Sequence, residues 1–325
     1  MNAAMFRSFS KARKPAKSRH AEQLLARAEA LVYRAFLQFA QQVQNADIEA
    51  ILETGDYAAL DLLFELPIER FAAAWNSTFV DIGTREANAI ELTQKARAKG
   101  TVTGTFNPGD PEAARLMQSA SLNLIRNLTA QQRAATRRAL ARGLRQGLGT
   151  ADLAELVRNS IGLDENRQRQ LEIFEDALRG MRAEDMEVPE ATRPPVLSDK
   201  QIRQRVKRKA DQLLRHRAGV IARTESLRIT AQARDNALRQ SIRAVGQSEQ
   251  LVGVEWIAVD DSRTRDRHRE RNGARRRLGD AFAPGIYKPG DGPPEESINC
   301  RCTLLYEFFD SEDELMRWLA AGSGS

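Results

Sequence analysis

Helical periodicity runs along the chain as far as Gly246 and then stops. That change of period constrains the fold more than any other feature. Leu24, Ala28, Leu31, Ala35, Phe39 and Val43, with Val32 and Phe36 beside them, recur at the spacing that lines one helix face. Pro67 suits a first helical turn, and the pattern resumes through Phe71, Trp75 and Phe79 towards Ala98. After a turn-rich loop from Gly100 to Asp110, a long helical pattern runs from Pro111 to about Gly147. Within it, Thr129 with Gln132 reads as a capping box and predicts a break near Leu128. Thr150 then caps a short helix through Val157, and a polar helix covers Glu165 to Gly180. From Asp199, a stripe of Ile202, Val206, Ala210, Leu213, Val220, Leu227 and Ala231 predicts another long helix, with Gly219 as a kink. Beyond Gly246, the stretches 251–259 and 302–309 read instead as strands, the first buried on both faces. A short helix with acids in its first turn follows Ser311.

The expected fold is therefore mainly α: a helical N-terminal region, then a small α+β C-terminal module with a short antiparallel sheet. An aromatic content of only 6% in an alanine-, leucine- and arginine-rich chain agrees with helices rather than a sandwich or barrel. Residues 1–20 read as a basic disordered arm, 21–181 as the helical region and 182–199, rich in proline and acids, as a linker or insertion. Residues 200–310 form the module, and 311–325 a C-terminal helix and tail. No apolar run reaches transmembrane length, so no membrane partner is expected. The 2 cysteines exclude a disulfide framework.

Charge is segregated. Residues 200–277 contain 21 Lys/Arg against 9 Asp/Glu, so the chain's net +6 combines one strongly basic segment with an acidic remainder. Clustered cations suit a polyanion, most simply double-stranded DNA bound without sequence preference. The candidate contacts are Arg267, Arg269, Arg271, Arg275, Arg276 and Arg277, with Lys207, Arg208 and Lys209 upstream. The competing reading is a set of structural Asp–Arg pairs with the surplus arginines in solvent; a mixture is expected, with Asp261 structural and Arg267 to Arg277 exposed.

The chemistry-bearing residues crowd into the same region. Arg223 and Glu225 lie two apart on a helix, so they flank Thr224 on opposite sides and cannot pair with each other; they are placed to grip a docked neighbour. His268, Cys300 and Cys302 suit zinc by chemistry, but they are three where a structural site takes four, and Asp261 is the candidate fourth. The favoured reading is no metal and no cofactor, with the cysteines a reduced pair at the start of a core strand. Asp261, His268 and Asn299 offer a nuclease-like or toxin-like enzyme as an alternative, and a purely protein-binding adaptor is another. No serine carries the glycine setting of a hydrolase nucleophile.

In order, the chain reads IARTES, then W-x3-DDSRTR-x2-H-x4-G, then F-x-PG, then PP-x3-INCRC. Over about residues 200–306 this resembles the phage head morphogenesis family of Mu protein F-like minor head proteins. The upstream LT-x2-Q helix and the short helix behind it are similar to what precedes that family's module. The matching positions are Arg223, Thr224, Glu225, Trp256, Asp261, Arg263, Thr264, Arg265, His268, Gly273, Asn299, Cys300, Arg301 and Cys302. The resemblance implies a non-enzymatic minor capsid protein of a tailed phage, assembled in the host cytoplasm and resident in the virion near the portal vertex. Portal protein, major capsid or scaffold protein and packaged DNA are the partners it implies, in head assembly and DNA ejection. In many relatives the positions of Arg265 and His268 are both cysteine; Arg265 departs from that pattern.

Overall fold

The computed structural model describes residues 26, 29–38, 45–54, 59, 68–89, 104–180, 197–259 and 261–322. The expected arm 1–20, most of the expected linker and Asp260 lie outside these residues. The protein is mainly helical, with one small three-stranded antiparallel sheet near its C-terminal end. It divides into two compact units. One comprises Met1–Leu31, Ala74–Leu116 and Ala222–Ser325; the other comprises Val32–Ala73 and Met117–Ile221.

Among its described residues, the second unit is built from helices joined by turns. Residues 32–38 are helical and bury Val32 and Phe36, and α1 (Asn45–Thr54) buries Ile48 and Leu52. The helix α2 (Ile68–Ala89) begins in this unit and ends in the other. Most of α3 (Pro111–Arg145) follows, then α4 (Thr150–Ser160), which packs on α1, and α5 (Glu165–Gly180). The start of α6 (Asp199–Val245) completes it. Ile202, Val206, Ala210 and Leu213 of α6 form a core with Leu163, Leu171 and Leu178, so the predicted stripe is the buried stripe here.

The predicted break near Leu128 does not occur: α3 is continuous from Pro111 to Arg145. Gln132 is buried and its amide is used elsewhere. Its Nε2 donates to Thr136 Oγ1 at 3.0 Å and to the Ser160 carbonyl, and its Oε1 accepts from the Gly162 backbone N–H. A side chain satisfying the turn after α4 does not reach back to cap its own helix. The helix α6 runs unbroken through Gly219.

In the first unit, α6 from Ala222 onward is the central element. Small buried residues (Ala222, Ala233 and Ala237, with Ile229 and Ile242) let neighbours approach it closely. Residues 104–107 run extended along it. The Thr105 N–H donates to Ser241 Oγ at 2.9 Å, and Gln240 pairs with both backbone groups of Asn107. Trp75 and Phe79 of α2 stack beneath, with ring centroids 5.4 Å apart.

The sheet has the order β2-β1-β3. The predicted strands are β1 (Val252–Ile257) and β3 (Thr303–Phe308), in register from Val252 opposite Phe308 to Ile257 opposite Thr303. The remaining strand, β2 (Arg275–Arg277), pairs with β1 in the register Val254–Arg276. Two short helices, α7 (Asp266–Glu270) and α8 (Pro294–Ser297), punctuate the connections. The predicted C-terminal helix is α9 (Glu312–Ala321), with acids in its first turn and Ser311 as its cap.

Candidate functional site

The motif residues converge on one small core. Val254 and Trp256 of β1, Phe282, Ile286, Cys300, Cys302 and Leu304 pack together. His268, on α7, is buried at their edge, 5.9 Å from Trp256 in an edge-on arrangement. Its Nε2 lies 3.0 Å from Glu296 and its Nδ1 lies 3.2 Å from Cys302 Sγ and 3.6 Å from Cys300 Sγ. A carboxylate partner assigns the ring proton to Nε2, which leaves Nδ1 to accept from a thiol. Both cysteines are free thiols and buried. Their sulfurs share a proton, which holds Cys300 below the ordinary thiol range and Cys302 above it.

Glu296 is the residue that sequence reasoning missed. It is 5% exposed and is gripped by Arg271 at 2.7 Å, Arg267 at 3.0 Å and His268. Arg271 above all, then His268, pulls its carboxyl down to about 2. The signal in the sequence is weak: a Pro-Pro-Glu-Glu run that starts a helical turn inside a Gly/Pro-rich loop. Nothing in its spacing points to a histidine that precedes it by 28 residues.

His268, Cys300 and Cys302 present ligand atoms within 4.8 Å of one another, and this is a partial donor set for zinc. No fourth His, Cys or carboxylate joins that group among the described residues, and Asp261 is not part of it. Arg265 turns its guanidinium to the Ile298 carbonyl at 2.6 Å, and Glu296 takes the other imidazole nitrogen. The residues present do not make the closed four-ligand site of a structural zinc.

Around this core the other motif residues fasten loops to helices. Arg223 Nε donates to Asn299 Oδ1 at 3.2 Å, and the Asn299 N–H donates to Thr224 Oγ1 at 3.2 Å. Asn299 has φ +54°, a conformation in which asparagine is tolerated better than most residues. Arg223 therefore grips the module as its position on α6 predicts. Glu225 instead pairs with Arg228 on its own helix at 2.9 Å, and burial raises its carboxyl. Asp261 accepts a two-pronged contact from Arg301 and caps the turn through the Arg263 N–H at 2.9 Å; the Arg301 bonds hold its carboxyl well below the usual range. Thr264 bonds the Val259 carbonyl in the same turn. The Gly273 N–H returns to the Trp256 carbonyl at 2.8 Å, with φ +82° at the glycine. Asp261 and His268 thus have separate partners.

The predicted DNA contacts fall into two groups. In the module, Arg267 and Arg271 bind Glu296 and Arg269 binds Asp266. Arg275 binds Glu255 and lies 4.6 Å from the Trp318 ring, and Arg277 binds Glu312. Arg276 donates to a neighbouring carbonyl at 2.7 Å. On α6, Lys207 and Arg208 are exposed, and Lys209 approaches Gln212 and the Phe174 ring.

Residues 197–305 match the family model described as Phage Mu protein F like protein. Over this segment the chain is similar to Mu F-like proteins. The matched range begins just before α6 and ends within β3, so it takes in α6 and most of the sheet. The Mu F-like family is a structural family of phage head morphogenesis, and the match suggests a head morphogenesis protein. No curated protein and no solved structure matches the chain significantly. Among the described residues, no helix is long and apolar enough to cross a membrane.

Proposed function

We propose that this protein is a non-catalytic minor capsid component that sits inside the phage head near the portal vertex. It assembles in the host cytoplasm through contacts with portal and with major capsid or scaffold protein. It touches packaged double-stranded DNA through its basic segment 200–277 and takes part in DNA ejection. One observation carries the reading: within the matched segment, the unusual residues are spent on holding the module together. His268, Cys300, Cys302 and Glu296 are buried and bond one another, and Arg223, Asn299, Asp261 and Arg301 tie loops to helices. Cys302, His268 and Glu296 do follow the order of nucleophile, base and orienter. However, the thiols, the imidazole and the carboxylate are all buried and already bonded to one another.

The first test is quantitative mass spectrometry of purified phage particles. A few copies of this protein per portal ring support a minor head component; its absence from particles removes that reading. A second test is pull-down by purified portal and by capsid protein, which the proposal expects to be positive for at least one of them.

A further inference from the structure

Six of the eight arginines between Arg263 and Arg277 are within ion-pair distance of a carboxylate. The other two, Arg265 and Arg276, donate to backbone carbonyls. A guanidinium already bonded to a carboxylate has fewer of its five donors free for a phosphate, and the nearby negative charge weakens its field. The basic composition of this stretch therefore overstates its pull on a polyanion.

The N-terminal part of α6 differs. Its core side is Ile202, Val206, Ala210 and Leu213. On the opposite side, by the 100° turn per residue of a helix, lie Lys200, Arg208 and Arg215, with Lys207 and Arg205 at its two flanks. All five are exposed, and none has an ion-pair or hydrogen-bond partner among the described residues. Asp211 is the one acid among residues 200–217. The five cations extend over roughly 22 Å of helix, at 1.5 Å per residue. Duplex DNA presents about one charge per 1.7 Å of its axis, so this face matches a phosphate backbone in sign and reach.

We infer that the DNA-contact surface of this protein is the outer face of α6 from Lys200 to Arg215, and that the arginines of 263–277 build the module instead. The inference rests on the proposed DNA contact and names the surface that makes it. The occupant is the sugar-phosphate backbone of double-stranded DNA, taken without sequence preference, because the face offers flexible cations rather than a helix shaped for a groove.

The test uses full-length protein and a labelled short duplex, with affinity measured by fluorescence anisotropy across a sodium chloride series. One variant carries Lys200→Gln, Arg205→Gln, Lys207→Gln, Arg208→Gln and Arg215→Gln; a smaller one carries only Lys207→Gln and Arg208→Gln. A third carries Arg269→Gln and Arg276→Gln. Each phosphate contact adds about 0.9 to the slope of log affinity against log salt. The five-site variant should flatten that slope by about four and the two-site variant by about two, with affinity at low salt falling on the order of a hundredfold for the former. The module variant should stay within about twofold of wild type. Loss of affinity in the module variant with the α6 variants unchanged overturns the assignment while leaving DNA contact standing. No wild-type binding at low salt overturns DNA contact itself. Binding of polyglutamate as tightly as DNA, lost in the same α6 variants, would give the face to an acidic protein surface and overturn the occupant. Circular dichroism and the thermal midpoint establish that each variant is folded.

Discussion

At the scale of single residues, two side chains decide whether the module holds. Glu296 is a buried carboxylate held by two arginines and a histidine, with its folded value near 2 against an ordinary 4.5. A depressed carboxyl contributes stability above its unfolded value and loses it as pH falls towards its folded value. The wild type should therefore lose on the order of 2 kcal/mol between about pH 4.5 and pH 2 through this group. Glu296→Gln should be less stable by a similar amount at pH 7 and lack that part of the acid slope; urea unfolding at pH 7 and pH 3 checks both. Asn299 is the second. Asn299→Ala loses the Arg223 bond and places a Cβ residue without a local hydrogen bond at φ +54°, which should cost about 1–2 kcal/mol. Asn299→Gly loses the same bond but relieves the backbone, so it should be the milder substitution by urea unfolding. Equal losses in the two would mean that the backbone conformation contributes nothing.

At the scale of elements, α3 shows why a local cap signal can lose to tertiary context. Thr129 and Gln132 have the spacing of a helix start, but Gln132 lies inside the helical unit, where it satisfies Gly162 and Ser160. A buried amide with three partners outweighs a cap worth about 1 kcal/mol. Gln132→Ala should accordingly destabilise the protein by about 1–3 kcal/mol without changing the helical circular dichroism signal, because it orphans the Gly162 N–H rather than breaking α3. If Gln132 were acting as a cap, the same substitution would cost less and reduce helicity. The strand β2 teaches a related lesson. Three consecutive arginines look like a solvated arm, yet Glu255 opposite Arg275, the Trp318 ring and Glu312 of α9 neutralise or cover the guanidinium groups that a strand edge presents. Arg-Arg-Arg can be a strand only because those partners come from elsewhere in the chain.

At the scale of the whole molecule, charge is sorted by whether it has a partner. The basic segment looks uniform in the sequence, but folding pairs most of its C-terminal arginines with acids and leaves the outer face of α6 uncompensated. Like charges along one helix face repel, so neutralising Lys200, Arg205, Lys207, Arg208 and Arg215 should leave stability within about 0.5 kcal/mol or raise it slightly. Thermal unfolding of the five-site variant checks this. A marked drop in its midpoint would show that these cations hold structure rather than face a ligand.

Much of the fold was legible in the sequence because it rests on periodicity and local chemistry. The helical stripes, the change of period after Gly246, the two longer strands, the short helix after Ser311 and the family order of motifs all depend on near neighbours or on residue type. Arg223 as a grip on the module and Asp261 as a structural carboxylate follow from helix geometry and turn chemistry. What tertiary structure alone decided depends on partners far along the chain: Glu296 against His268, Gln132 against Gly162, Arg275 against Glu255 and Trp318. Whether a polar side chain is spent or available depends on which distant group folding brings to it. Spacing along a sequence records how often a residue type occurs, not what will neutralise it.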